Sequence, residues 1–240
     1  MNNIDIPNIV AFNKCSEAGL DIFAPSIFLQ GCNFRCPYCM NSKLAKGILE
    51  RHVSFDNIKA YIQEDKSDFI MISGGEPTCA NIVQLTNLLK SLKSLGCNIG
   101  MSTNGANSEV LKDIIPLINY IALDIKSHKS DVYDKISLTK NSMASLFASK
   151  ALIYENKLNR DDFEYEIRTT LYPEFINEEA IREIGTIMRK DEKWVLQQFR
   201  HAKNMLDPQC NKVMPYDKDE LDNLVEIAKE FSDHINLRYV

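Results

Sequence analysis

The sequence predicts an α/β protein, a partial and open (β/α)6 barrel of parallel strands with outer helices. Three observations predict it. Short apolar runs alternate with longer stretches of helical period from Ser26 to Phe199. No internal repeat or low-complexity linker breaks that alternation. The strand–helix units number six, too few to close an eight-stranded barrel, and such units connect as right-handed parallel crossovers.

The elements follow in order. Ser26–Leu29 reads as a strand that ends just before a cysteine-rich loop. Ser54 caps a helix that carries Phe55, Ile58 and Ile62 on one face. Phe69–Ser73, Phe-Ile-Met-Ile-Ser, is a buried strand, and Ile82–Leu95 is a helix closed by Gly96. Ile99–Ser102 is a strand, Glu109–Ile115 a helix and Tyr120–Ile125 a strand. Asn141–Asn156 is an amphipathic helix, Glu164–Leu171 a strand, Glu178–Met188 a helix and Trp194–Phe199 a strand. Asp217 and Glu220 have capping-box spacing ahead of Leu221, Leu224, Val225 and Ala228, which share a helical face. Ile235–Val240 is read as a final strand. We expect residues 1–240 to form a single domain, with a core of about 20–205 and residues 206–240 as a helix and strand extension covering one end.

Composition narrows the function classes. Hydrophobic residues make up 45% and charged residues 25%, ordinary values for a globular protein with a substantial core. A net charge of −5 argues against a dominant nucleic-acid surface but leaves room for a local basic patch. No apolar run approaches a membrane span, and Met1–Val10 has neither the basic nor the apolar region of a signal peptide. The expectation is a reducing cytoplasm, with no membrane partner.

The strongest chemical signal is Gly31-Cys-Asn-Phe-Arg-Cys-Pro-Tyr-Cys39, which spaces Cys32, Cys36 and Cys39 as C-x3-C-x2-C. Thiolates on one short loop suit a four-iron cluster, which normally takes four cysteines. Three therefore leave one iron open, the arrangement that catalytic metal sites share. A zinc site would want a second Cys or His pair, yet His52, His128, His201 and His234 stand apart. A disulfide framework would want an even cysteine count in a small secreted chain, not 7 in 240 residues. Cys15, Cys79, Cys97 and Cys210 are scattered, and buried structural cysteine is the default for them.

A sheet of this kind forms its site at the carboxyl ends of its strands, where polar and glycine residues should gather. They do. Gly74-Gly75-Glu76-Pro77 follows the second strand and Ser102-Thr103-Asn104-Gly105 the third. Asp124-Ile125-Lys126 ends the fourth, Arg168-Thr169-Thr170 lies in the fifth, and Gln197-Gln198-Phe199-Arg200-His201 ends the sixth. Each alone has an ordinary reading. Gly-Gly-Glu-Pro and Ser-Thr-Asn-Gly are turn sequences, Asp124 and Lys126 are a common ion pair, and Arg168 could pair with Glu164 or Glu166. Their order is what makes the set specific.

With the cysteine loop, an aromatic Tyr38 before its last cysteine and the Gly-Gly-Glu-Pro stretch, the chain resembles the radical S-adenosylmethionine (SAM) superfamily over roughly residues 20–205. That resemblance implies a (β/α)6 barrel of the radical SAM type, a 4Fe–4S cluster on Cys32, Cys36 and Cys39, and SAM on the fourth iron. It implies reductive cleavage of SAM to a 5′-deoxyadenosyl radical that takes hydrogen from a substrate. Gly74, Gly75 and Glu76 would meet the methionyl group, and Ser102, Thr103 and Asn104 the ribose hydroxyls or the carboxylate. Lys126 and Arg168 would pair with that carboxylate. Asp124 would orient Lys126 or touch ribose, and Tyr38 would stack near adenine or shield the cluster.

Leu29-Gln-Gly-Cys-Asn-Phe-Arg-Cys-Pro-Tyr-Cys39, Leu-Asp-Ile-Lys126, Leu-Gln-Gln-Phe-Arg200 and Leu206-Asp-Pro208 resemble the activating enzymes of glycyl radical enzymes, of the anaerobic ribonucleotide reductase and pyruvate formate-lyase type. The implied partners are a glycyl radical enzyme as protein substrate and a flavodoxin or ferredoxin-type electron donor, under anaerobic conditions. Two positions differ from that pattern. Leu20–Ser26 lacks the glycine of an upstream Asp-x-Pro-Gly-like stretch, and Met40 replaces a common histidine. The alternatives are a small radical SAM enzyme acting on a nucleoside, peptide or metabolite, and an iron–sulfur electron carrier or sensor.

Overall fold

The computed structural model describes residues 5–19 and 22–239, with side-chain surroundings for 5–15 and 24–239. Leu20 and Asp21 of the upstream stretch and Val240 of the final predicted strand lie outside the described residues.

A single sheet organises the described chain, and its strands follow one another in sequence order from edge to edge. Strand β1 (Ile9–Gly19) pairs antiparallel with β2 (Ile22–Leu29). Every later pairing is parallel, through β3 (Phe69–Gly74), β4 (Asn98–Thr103), β5 (Tyr120–Asp124), β6 (Glu164–Leu171), β7 (Lys193–Gln198) and β8 (His234–Arg238). The α/β class and the mostly parallel sheet are as the alternation predicts. The sheet stays open, with β1 and β8 as its edges.

Local chemistry explains the crossovers. Helix α1 (Ser42–Ala45) is a short turn after the cysteine loop. Ser54 accepts a hydrogen bond from the Asp56 N–H and starts α2 (Phe55–Asp65). Asn81 accepts from Val83 and Gln84 to start α3 (Ile82–Ser94), which buries Leu85, Leu88, Leu89 and Leu92 at helical spacing. Further on lie α4 (Ser108–Ile114), α5 (Ser130–Ile136), α6 (Ser142–Asn159), α7 (Glu178–Gly185) and α8 (Lys218–Lys229). Asp217 and Glu220 form both bonds of a capping box on α8.

The two sides of the sheet differ. The helix-covered side carries the main core, in which Trp194 is fully buried and donates its indole N–H to Thr169 Oγ1 at 3.0 Å. A separate small apolar cluster of Ala24, Met71, Tyr120 and Ala122, with Phe69 against it, fills part of the sheet away from that core. Polar groups continue from it toward the strand C-termini.

The structure departs from the sequence reading at four points. Strand β1 and helix α5 were not foreseen, and β2 begins at Ile22 rather than Ser26. The C-terminal region does not simply cover an end, because β8 extends the sheet as a further parallel strand beside β7. Its Arg238 binds Glu166, fully buried on β6, at 3.0 Å.

Candidate functional site

The cysteine loop is held from several sides by backbone bonds. The Gly31 N–H donates to Leu44 O at 3.0 Å, and Gly31 O accepts from the Glu76 N–H at 2.8 Å. The Leu138 N–H donates to Asn33 O, and Arg35 folds back to donate to Cys32 O and Phe34 O. Beyond β7, the N–H groups of Leu206 and Asp207 donate to Cys39 O and Pro37 O. A loop that must present three sulfurs is thus fixed by chain from both ends of the fold.

Gly74 and Gly75 are dictated by this loop. Gly74 has φ +119°, and a Cβ there would lie 2.3 Å from Leu29 O. A Cβ on Gly75 would lie 1.8 Å from Gly31 O. The Gly75 N–H donates to Leu29 O at 3.0 Å. The glycines let the end of β3 close on the start of the cysteine loop, a tighter constraint than ligand approach alone.

Glu76 is 2% exposed and braces the same region. Its Oε1 accepts from the Thr78 N–H (3.1 Å), Thr78 Oγ1 (2.7 Å) and Thr103 Oγ1 (2.7 Å), and its Oε2 accepts from the Asn104 N–H (2.7 Å). Burial pushes its carboxyl above the usual range, and those donors pull in the opposite direction. Asn104 donates to Asn33 Oδ1 at 2.8 Å and accepts from the Ala106 N–H, which ties the end of β4 to the cysteine loop. Thr103 and Asn104 therefore act as braces in the protein, while Ser102 lines the open space beside Ser73.

The charged residues converge. Asp124 and Arg168 are register partners on β5 and β6. Asp124 Oδ1 accepts from Arg168 Nε at 2.8 Å, and its Oδ2 accepts from Lys126 Nζ at 3.0 Å. Burial opposes the charge on Asp124, yet the Arg168 and Lys126 cations outweigh it and hold the carboxyl below its usual range. Burial likewise opposes the Lys126 and Arg168 charges, and Asp124 more than compensates. Arg168 does not take Glu164 or Glu166. Glu164 binds Lys157, and Glu166 binds Arg238. The triad holds two cations and one carboxylate, a surplus of one positive charge facing a cavity.

That cavity is lined by Cys32, Cys36, Cys39, Tyr38, Gly74, Gly75, Glu76, Ser102, Thr103, Asn104, Asp124, Lys126 and Arg168. It brings together every residue proposed from the sequence to hold the cluster or SAM. Burial pushes the Cys32 thiol up to about 11 and the Cys36 thiol up to about 12. Iron binding at these sulfurs must therefore displace protons. Among the described residues no three His, Cys, Asp or Glu side chains are placed to hold one metal ion. A four-iron cluster has separate corners, so its thiolates need not meet at one point. Three soft donors around one cavity suit it better than a single hard cation.

Tyr38 is 8% exposed, its ring 4.8 Å from Tyr172 and 5.9 Å from Phe175, and its phenolic oxygen has no protein partner. Its ring is thus packed in an aromatic cluster, with the hydroxyl buried. Of the other cysteines, Cys97 and Cys210 are buried, but Cys15 and Cys79 are exposed, against the default of burial. Sequence reasoning missed Ser73, the Thr78 and Asn33 braces and the Leu206 clamp. Thr170, Gln197, Gln198, Phe199 and Arg200, which the sequence places at strand ends, line a second cavity with Tyr38, Cys39 and the charged triad.

The Radical SAM superfamily model matches residues 26–184. A Methanocaldococcus jannaschii protein named as a glycyl-radical enzyme activating enzyme is 31% identical over 218 residues, 89% of this chain and 88% of that protein. A second protein of that organism with the same kind of name is 28% identical over 165 residues, 68% of this chain and 62% of that protein. Among solved structures, a radical SAM methyltransferase from Sphaerobacter thermophilus has TM-score 0.65 at 14% identity, covering 90% of this chain and 66% of that one, a likeness of fold. With the family model spanning more than half of its length, the chain belongs to the radical SAM superfamily, whose enzymes use a 4Fe–4S cluster and SAM for redox chemistry.

Proposed function

We propose that this chain activates a glycyl radical enzyme, using a cluster held by Cys32, Cys36 and Cys39 and SAM bound in the cavity beside it. The observation that carries the reading is the convergence of the three cysteines and the Asp124–Lys126–Arg168 triad on one cavity. When bound, the reduced cluster would supply one electron for cleavage of a carbon–sulfur bond of SAM, chemistry that would yield methionine and a 5′-deoxyadenosyl group able to take a hydrogen atom from a glycine Cα.

The residues of the chain have distinct work. Lys126 and Arg168, with their surplus positive charge, face the methionyl carboxylate, and the guanidinium fork of Arg168 matches it. Glu76 Oε2 accepts one bond from the protein and has a lone pair left for the methionyl ammonium. Ser102 would offer a hydroxyl to ribose, and the Tyr38 ring would stack near adenine or shield the cluster. Gly74, Gly75, Thr103 and Asn104 fix the distance between these groups and the cysteine loop. The electron would come from a flavodoxin or ferredoxin-type donor.

Support for a protein substrate comes from the relative named for glycyl-radical enzyme activation, which matches along nearly its whole length. The test is electron paramagnetic resonance under anaerobic conditions. Reconstituted, reduced protein is mixed with SAM and an anaerobic ribonucleotide reductase or a pyruvate formate-lyase type partner. A glycine-centred doublet on the partner is the expected result. 5′-Deoxyadenosine without that doublet would direct the reading to a nucleoside, peptide or metabolite substrate.

A further inference from the structure

Four cavities follow one another through shared walls. The cysteine cavity shares Tyr38, Cys39 and the charged triad with the second. The second shares Met40 and Asn41 with a third. The third shares Ala11, Asn13 and Arg51 with a fourth, beside the edge strand β1. Together they trace one groove from the cysteine loop to the edge of the sheet.

The chemistry of the groove changes along its length. At the inner end Thr170 and Gln197 are register partners on β6 and β7, with Gln198 next and Asn41 on the shared wall. Hydroxyl and amide groups both donate and accept, as the N–H and C=O groups of a peptide require. At the outer end Lys43 and Arg51 are exposed, and among the described residues neither has an ion-pair partner. No Asp or Glu lines the third or fourth cavity. In a chain of net charge −5, this is a local positive strip.

We infer that the groove seats an extended polypeptide segment of the partner protein, uncharged where it passes Gln197 and acidic where it crosses Lys43 and Arg51. This rests on the polypeptide-substrate reading proposed above. A small metabolite would fill the second cavity and gain nothing from Arg51. A continuous groove with amides at one end and unpaired cations at the other suits a chain that alternates donors and acceptors and carries carboxylates on one flank.

The test uses the full, cluster-loaded chain and two fluorescein-labelled 12-residue peptides. Both have a Ser-Gly-Ala-Gly core. One ends in Asp-Asp-Glu and the other in Lys-Lys-Arg. Fluorescence anisotropy should show at least tenfold tighter binding of the acidic peptide. In K43E/R51E that preference should vanish or reverse, while 5′-deoxyadenosine formation without partner stays unchanged, since neither residue lines the cysteine cavity. Equal affinity for both peptides, no binding of either, or an unchanged preference in the variant would overturn the inference. Tighter binding of a 12-nucleotide oligouridylate than of the acidic peptide would do the same. Activation fails separately: an intact peptide preference with no glycine doublet on the partner removes the activase reading and leaves the groove.

Discussion

Asp124 and Arg168 stand opposite each other on neighbouring parallel strands, and the carboxylate of one accepts from the guanidinium of the other at 2.8 Å. Because the pair is set by sheet register, its geometry exists before any ligand arrives. Lys126 adds a second cation from the same strand end. An anionic group entering the cavity then meets fixed charges, not side chains that must first be ordered.

Arg168→Ala should weaken SAM binding about 10- to 100-fold, the loss of a charge-assisted contact, while iron content per chain stays the same. Arg168→Lys should recover part of that affinity. Equilibrium dialysis with labelled SAM and iron analysis check both. Equal losses of iron and SAM would show that Arg168 only supports the fold.

Asp124→Asn leaves Lys126 and Arg168 without their shared counter-charge and should cost about 3 kcal/mol at pH 7. The pH dependence follows from the direction of the shift. The Asp124 carboxyl is held below its usual range, so its contribution is full above the ordinary value of about 3.9 and is lost as pH falls through its depressed value. Urea unfolding of the two proteins from pH 7 downward should show the gap closing only at the acid end.

Gly75→Ala would force a methyl group to within 1.8 Å of Gly31 O. The substitution should destabilise by about 3 kcal/mol or more and displace the cysteine loop. Thermal unfolding and iron content should fall together. A stable variant with a full iron complement would contradict the close packing of β3 on the loop.

Glu76→Gln replaces an acceptor of bonds from Thr78, Thr103 and Asn104 with a group that must also donate. One N–H would face another, at a cost of about 2 kcal/mol. Stability and SAM affinity should both decline, and calorimetry reads each.

Much of this was legible in the sequence, for identifiable reasons. Strands β3 and β5 are compact apolar runs between polar turns, so periodicity and length found them. β1, Ile-Val-Ala-Phe-Asn-Lys-Cys-Ser-Glu-Ala-Gly, mixes polar and apolar residues because it is an edge strand. α5 turns only Tyr133 and Ile136 inward, too few to mark a helical stripe. The cysteine loop was readable because its spacing is local. The Asp124–Arg168 pair was not, since strand register joins residues far apart in sequence. Glu76 looked available to a ligand, and only the fold brings Thr103 and Asn104 onto it.

The most direct test of the central claim is 5′-deoxyadenosine formation under anaerobic conditions. The native chain and Cys36→Ala are reconstituted with iron and sulfide, reduced with dithionite and given SAM, and the product is measured by mass spectrometry. The native chain should form 5′-deoxyadenosine, and Cys36→Ala should form none while keeping a cooperative unfolding transition. Formation at equal rates in both would contradict the assignment of Cys36 and the cavity it lines.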